Sequence, residues 1–386
     1  MNLNIQHISI VNYLPMKRKK IAVLPGDGIG PEVTEQAIKV LNAIADRFNH
    51  WFEYCYCEVG ATAIDSCGDP LPKETLDACM RADAILFGAI GHPKYDNDPS
   101  APVRPEQGLL RLRKSLGLFA NIRPVKTYDS LVHLSPLREE RVKGTDVVIY
   151  RELTGGIYFG AKGRNEARTE AYDHCTYADY EIDRIAHLAF KNAMTRRRKL
   201  TLVDKANVLE TSRLWRERVT AIAKEYPEVA FDCMFVDNAA MQLIQYPTQF
   251  DVMLTENMFG DILSDEASVL PGSMGLLPSA SIGEKTALFE PIHGSYPQAA
   301  GKDIANPMAA ILSAAMLLEH FDLQEEAQIV RTSVNKILEG GIGTPELHPR
   351  TVCGCTQLGD WIALAVAEES LNLKKAKIEE RIATII

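Results

Sequence analysis

Short runs of consecutive apolar residues alternate along the chain with longer stretches in which apolar positions recur every three or four residues. The first kind reads as buried strand and the second as amphipathic helix, so the alternation predicts an α/β fold built on a parallel or mixed sheet. The first unit is a strand at 21–24, the turn PGDGIGPE at 25–32, and a helix. That helix carries Val33, Ala37, Val40, Leu41, Ile44, Ala45 and Phe48 on one face, with Pro31 in its first turn. Further strands are expected at 52–59, 82–90, 146–150, 200–203, 231–236, 250–254 and 288–297, the last closing in a glycine-rich turn. Helices are expected at 73–81, from 108 toward 124, at 180–194, across the segment ENMFGDILSDEASVL, and at 307–321. Two more follow, around a loop at 340–359. The proline-rich loop 91–107 is long enough to be functional rather than connective. The stretch from RELTGGIYFG to Asp173 is rich in Gly and Arg and poor in core residues. It reads as an arm, at about 153–175, that leaves the globule to meet a second subunit.

Composition narrows the class. A chain of 386 residues with 46% apolar and 24% charged positions can bury a sizeable core, here as a two-lobed unit. The formal charge of −9 argues against a nucleic-acid partner, and no apolar run has membrane-spanning length. The first fifteen residues carry no Lys or Arg, and Lys17 stands just before the first strand, so Met16 is a candidate start. Eight scattered cysteines without metal-site spacing imply a reduced, cytoplasmic chain. Cys55 and Cys57 fall on one side of an alternating strand and are expected to be buried small side chains. The basic run TRRRK at 195–199 is expected to cap the helix before it.

The candidate chemistry centres on Asp261 and Asp265, four residues apart in a helical pattern and therefore on one face. Like charges so placed repel unless a cation lies between them, and a hard ion such as Mg²⁺ or Mn²⁺ accepts such oxygens. Arg113, Arg123 and Arg151 follow strands or lie between them, and three guanidinium forks suit a substrate with two carboxylates. Tyr158 and Lys205 are candidate proton movers, although a packing tyrosine and a solvated lysine fit the same positions. PGDGIGPE invites a dinucleotide-binding reading but has Pro31 where the third glycine of G-x-G-x-x-G is required.

The segments ENMFGDILSDEASVLPGSMG, RELTGGIYFG, VDKANVLETSRLWR, GLLRLRKSLGLFANIRP and EPIHGSYPQAAGKDIANPMAAILSAAMLLE resemble those of the isocitrate/isopropylmalate dehydrogenases. These are decarboxylating β-hydroxyacid dehydrogenases, and the likeness to their 3-isopropylmalate-specific members runs from about Ile21 to about Val366. It implies an isopropylmalate dehydrogenase-like fold without a Rossmann loop. Residues 1–118 and 272–386 would form a discontinuous cofactor-binding domain, and 119–271 a substrate, metal and dimerisation domain.

The resemblance also implies roles. Arg113, Arg123 and Arg151 would clamp the malate carboxylates. Asp261 and Asp265 would hold Mg²⁺ or Mn²⁺ with Asp237 of a second subunit in a homodimer. Lys205, also donated across the dimer, would help deprotonate the C2 hydroxyl, and Tyr158 would protonate the enolate left by decarboxylation. NAD would lie along 293–306, touching His293, Gly294, Ser295, Tyr296 and Asn306, with Glu290 nearby and Glu106 by the nicotinamide ribose. Gly108–Leu110 reproduces the G-L-L of isopropylmalate members, so Leu109 would face an isopropyl group, where isocitrate members place polar residues for a third carboxylate. An apolar wall cannot satisfy a buried charge, which favours 3-isopropylmalate, converted to 4-methyl-2-oxopentanoate and CO₂ in leucine biosynthesis. Another 3-substituted malate, tartrate or isocitrate is the alternative. A non-catalytic metabolite-binding protein would have lost some of these residues, and none is missing. Three positions depart from the family pattern: Gln298 replaces an aspartate expected on the adenosine ribose, His92 replaces glycine, and the loop TPELHPRTVCGCTQLGDW is long.

Overall fold

The computed structural model describes residues 16–96 and 101–368, so the question of a start at Met16 concerns residues outside that range. Its centre is a sheet of ten strands. They are β1 (Arg18–Gly26), β2 (Trp51–Tyr56), β3 (Ala84–Ala89), β4 (Ala120–Lys126) and β5 (Asp146–Glu152), then β8 (Lys199–Asp204), β9 (Ala230–Phe235), β10 (Val252–Thr255), β11 (Pro278–Ile282) and β12 (Ala287–Pro291). Four short strands lie outside it: β6 (Lys162–Arg164) and β7 (Ala171–Asp173) form a hairpin, and β13 (Ile342–Gly343) pairs in parallel with β14 (Thr351–Val352). The order in the large sheet is β2-β1-β3-β12-β11-β4-β5-β10-β8-β9. Pairing is parallel at both ends, and β11 and β4 join the halves through antiparallel ladders. The sheet is therefore mixed, as the alternating pattern allowed.

The inner strands β3, β5 and β10 are buried on both faces, which explains their nearly continuous apolar runs. One large core sets the helices Gly30–Phe48, Met308–His320, Gln324–Glu339 and Cys355–Ala367 against β1, β3 and β12, and a smaller one fills the opposite face with Leu24, Phe87, Leu109 and Leu112. Two further cores cover β5, β8 and β10, one of them built on the helices Asp179–Thr195 and Glu210–Ala223. The chain crosses from the first half at β4 and returns at β11.

Several expectations need correction. The strand read at 52–59 stops at Tyr56 on the sheet edge. Cys55 is exposed and Cys57 half-buried, with their sulfurs 3.8 Å apart, so the pair is not core material. The basic run after the Asp179–Thr195 helix does not cap it. Arg196 binds Asp146 at 2.6 Å and Asp251 at 2.8 Å, while Arg197 donates to backbone carbonyls of Asp146, Thr248 and Phe250. These arginines tie together the entries to β5 and β10. The segment PSASI, not among the strands expected from the sequence, is the antiparallel strand β11. His92 has a local role: its Nδ1 accepts the Lys94 N–H at 3.1 Å and caps the short turn Pro93–Asp96. The β6–β7 hairpin is largely exposed and pairs apart from the large sheet. Among the described residues, no helix is long and apolar enough to cross a membrane.

Candidate active site

Asp261 and Asp265 lie on the helix Asn257–Ser268, which follows directly on β10. Gly260 lets this helix approach β5, because a Cβ there would stand 2.7 Å from Arg151 Cβ and 2.3 Å from Thr255 Oγ1. In the antiparallel β4–β5 ladder, Arg123 stands opposite Ile149 and Arg151 opposite Asn121. The two arginines are thus diagonal neighbours on one face. Arg123 reaches Asp265 at 2.8 Å and Ser264 at 3.0 Å, its Nε held by Asn121 at 2.9 Å. Arg151 pairs with Asp261, its fork fixed by Asn257 Oδ1 at 2.9 and 3.1 Å. Tyr158, in the turn Gly156–Tyr158 before the β6–β7 hairpin, donates its hydroxyl to the other Asp261 oxygen at 2.8 Å.

Asn121 and Asn257 were missed in the sequence. Asn121 could have been found from its two-residue spacing to Arg123, which puts both on one strand face. Asn257 sits four residues before Asp261 on the same helix.

The third arginine approaches from the helix Pro105–Ser115, one turn after Leu109. Arg113 pairs with Glu290 at 2.5 Å, while its Nε is buried without a partner. The three cations share a field. Burial holds the Arg151 guanidinium below its usual range, Asp261 partly offsets that, and Arg123 and Arg113 add repulsion. Such convergence, with a buried donor still unfilled, is a built receptor for anionic groups. Burial, then the Asp261 bond, raises the Tyr158 hydroxyl, which stays protonated at neutral pH.

A cleft of about 180 Å³ opens between Leu109, Arg113, Arg123, Glu290 and His293. At its rim Gly28 packs against the 293–296 loop: Ile29 N–H bonds to Ser295 C=O at 2.8 Å, and a Cβ on Gly28 would overlap that oxygen. Gly28 of PGDGIGPE therefore serves a loop–loop contact, while Gly26 and Gly30 allow close approach to Ala89 at the end of β3. Glu106 lies beside Gly91 at the same rim, and Tyr296 is exposed with φ 38°. His293 Nδ1 stands 2.9 Å from the Gly294 carbonyl oxygen and its Nε2 is buried without a partner; burial lowers its pKa. Asn306 is buried, held by Glu346 at 2.9 Å and accepting the Met308 N–H at 3.0 Å, so it shapes the segment from beneath. Gln298 is exposed in the turn Pro297–Ala299.

Lys205 and Asp237 form a separate pair at 2.5 Å, and that ammonium lowers the Asp237 carboxyl. Among the described residues, Asp237, Asp261 and Asp265 do not converge to within 4.8 Å within one chain. The carboxylates of Asp261 and Asp265 remain 35% and 73% exposed, and their hard oxygens suit Mg²⁺ or Mn²⁺.

Comparison with known proteins agrees with this geometry. The isocitrate/isopropylmalate dehydrogenase family model matches residues 20–362. A protein of Bacteroides fragilis (strain YCH46) named 3-isopropylmalate dehydrogenase is 57% identical over 345 residues, covering 89% of this chain and 97% of that protein. One of the same name from Bacillus subtilis (strain 168) is 57% identical over 336 residues, covering 86% and 92%. Among solved structures, isocitrate dehydrogenase from Methylococcus capsulatus superposes with a TM-score of 0.78 at 35% identity, covering 91% of this chain and 100% of that one. A beta-decarboxylating dehydrogenase from Thermococcus kodakarensis gives 0.76 at 36% identity, covering 90% and 96%. With a matching family model over most of its length and relatives of this identity, the chain belongs to the isocitrate/isopropylmalate dehydrogenase family.

Proposed function

We propose that the protein catalyses the NAD- and metal-dependent oxidative decarboxylation of (2R,3S)-3-isopropylmalate to 4-methyl-2-oxopentanoate and CO₂, a step of leucine biosynthesis. The observation that carries this reading is the cluster in which Arg151 and Tyr158 share Asp261, and Arg123 binds Asp265, beside the cleft lined by Leu109 and Arg113. The arginines bind and orient the two malate carboxylates, exchanging their present carboxylate partners for those of the substrate. Asp261 and Asp265, with Asp237 of a second chain, would hold the divalent ion. When bound, that ion polarises the substrate oxygens and NAD accepts the hydride. Lys205, donated by a second chain, would help deprotonate the C2 hydroxyl, its Nζ taking that proton after first giving up its own to solvent. Tyr158 Oη carries the proton returned to the carbon that loses CO₂. Leu109 presents its side chain to the isopropyl group.

A homodimer is the assembly this reading requires, because Lys205 and Asp237 lie apart from the other residues in one chain. The exposed apolar residues Met241, Ile244 and Ile262, on adjacent helices, support such an interface. Residues 1–118 and 272–386 act as the cofactor-binding domain, with NAD against Glu106, Glu290 and His293–Tyr296. Residues 119–271, with the arm 153–175, form the substrate and dimerisation domain. The cytoplasm, where the thiols stay reduced, is the proposed location. Gln298 can bond a ribose hydroxyl but repels a 2′-phosphate less than aspartate does. The preference for NAD over NADP should therefore be modest, and equal kcat/KM values would remove it.

The test is NADH formation on a panel of 3-isopropylmalate, isocitrate and tartrate with Mg²⁺ or Mn²⁺, with and without a chelator. Chelator-sensitive turnover of 3-isopropylmalate is expected. Turnover of isocitrate or tartrate alone would overturn the substrate assignment.

A further inference from the structure

Away from the cleft, the first turn of the Gly30–Phe48 helix, the loop at Gly301–Asp303 and the start of the Cys355–Ala367 helix meet. They bring Glu32, Asp303 and Cys355 together, one ligand atom of each lying within 4.8 Å of the others. Two of these groups are anchored by backbone bonds on one atom only. Glu32 Oε1 accepts the Gly301 N–H, while Oε2 is buried without a partner. Asp303 Oδ1 accepts both the N–H and the hydroxyl of Thr356, at 2.7 and 2.8 Å, and its backbone oxygen accepts the Cys355 N–H at 2.9 Å. Gly354 admits the other Asp303 oxygen, which a Cβ there would meet at 2.2 Å. Cys355 is fully buried, and its thiol has no hydrogen bond among the described residues.

Helix capping accounts for Asp303 Oδ1 and loop closure for Glu32 Oε1. Core packing accounts for the burial of Cys355, and Asp303 is exposed, but none of these gives the buried Glu32 Oε2 beside the thiol a partner. Two helix N-termini favour the anions but give no reason for the sulfur. We propose that Glu32, Asp303 and Cys355 are a second metal site, taking a thiophilic divalent cation of the Zn²⁺ type and distinct from the oxygen-only site of the cleft. A thiolate with two carboxylates is a borderline-soft set that suits Zn²⁺ and not Mg²⁺, with a fourth position left for water. Burial and the two carboxylates push the Cys355 thiol up to about 12, so it is neutral without a cation. A bound cation reverses that balance: the S–H bond breaks, the proton leaves to solvent and the sulfur–metal bond forms. The ion would brace the first and last helices of the sheet's cofactor half against the loop that leads to Asn306.

The full-length protein, stripped of metal, is titrated with Co²⁺ as a spectroscopic substitute for Zn²⁺. One equivalent should give a thiolate-to-cobalt charge-transfer band that Zn²⁺ abolishes. The band should survive in Asp261→Asn and in the double variant Cys55→Ser, Cys57→Ser, and should vanish in Cys355→Ser. Glu32→Gln, which keeps the thiol, should weaken cobalt binding by at least ~10-fold. Absence of the band in the unsubstituted protein, its survival in Cys355→Ser, or unchanged affinity in Glu32→Gln would each overturn the proposal.

Discussion

Tyr158 and Arg151 meet on opposite oxygens of one carboxylate, and this sharing fixes what each can do. Burial, then the Asp261 carboxylate, holds the tyrosine protonated while its side chain stays partly exposed, where it can give a proton and take one back from solvent. Tyr158→Phe removes the proton and little else. We expect kcat to fall by ~10²–10⁴-fold with KM changed far less, as for loss of a general acid. An unchanged kcat in steady-state assays would show that protonation goes elsewhere. Asp261→Asn removes the anion that holds both partners and one ligand of the proposed ion. Its metal-dependent rate should drop by orders of magnitude, and an unaltered response to added Mn²⁺ would contradict the role. Leu109 is largely buried yet borders the cleft beside Arg113. Trimming it to alanine should lower kcat/KM for 3-isopropylmalate by ~10–200-fold, the range for a few methylenes in an apolar pocket. Malate, which has no isopropyl group, should be affected much less, and an equal loss for both would mean the side chain shapes the helix rather than the pocket.

The helix Asn257–Ser268 carries the proposed metal ligands, and its entry is electrostatically costly. Glu256, immediately before it, is buried beside Asp204 and Glu152, and burial followed by those charges pushes it up to about 7. The unfolded chain ionises this group near its ordinary value of 4.5, so the folded state holds its proton over the interval between. Stability is therefore undiminished below the unfolded pKa, declines as pH rises toward 7, and above that carries a penalty of ~3 kcal/mol. Glu256→Gln should raise the thermal midpoint at about pH 8 and leave it nearly unchanged at about pH 4.5. The same increment at both pH values would exclude this cause.

At this scale the sequence was readable wherever the determinant is local. The four-residue spacing of Asp261 and Asp265 put them on one helix face, but Arg123 lay in the stretch read as helix toward 124 and Arg151 just past the strand expected at 146–150, whereas the structure puts both on strands. It was misleading where partners are distant. The arginines after the Asp179–Thr195 helix bind residues fifty or so positions away, at Asp146 and Asp251. β11 was hidden because its pairing with β4 and β12 is set by tertiary contact rather than by its serine- and alanine-rich composition. The Cys55–Cys57 pair was misjudged because an edge strand has only one protected side.

Across the molecule, β4 and β11 join two covered half-sheets, and the cleft with its arginines lies where those halves meet. Arg113 comes from one half, Arg123 and Arg151 from the other, so the clamp draws on both. The resemblance to known dehydrogenases made the roles of these residues legible before their positions were. Geometry within one chain then divided them into two groups, the Arg–Asp–Tyr cluster and the Lys205–Asp237 pair. The central claim is that these groups from two chains make one site. It is tested by mixing the inactive variants Tyr158→Phe and Lys205→Met, allowing the subunits to exchange, and measuring NADH formation from 3-isopropylmalate. In a symmetric dimer with shared sites, half of the sites in mixed dimers are intact, so activity should return to about a quarter of that of the unsubstituted enzyme. A mixture as inactive as its two components, with exchange verified, would contradict the account.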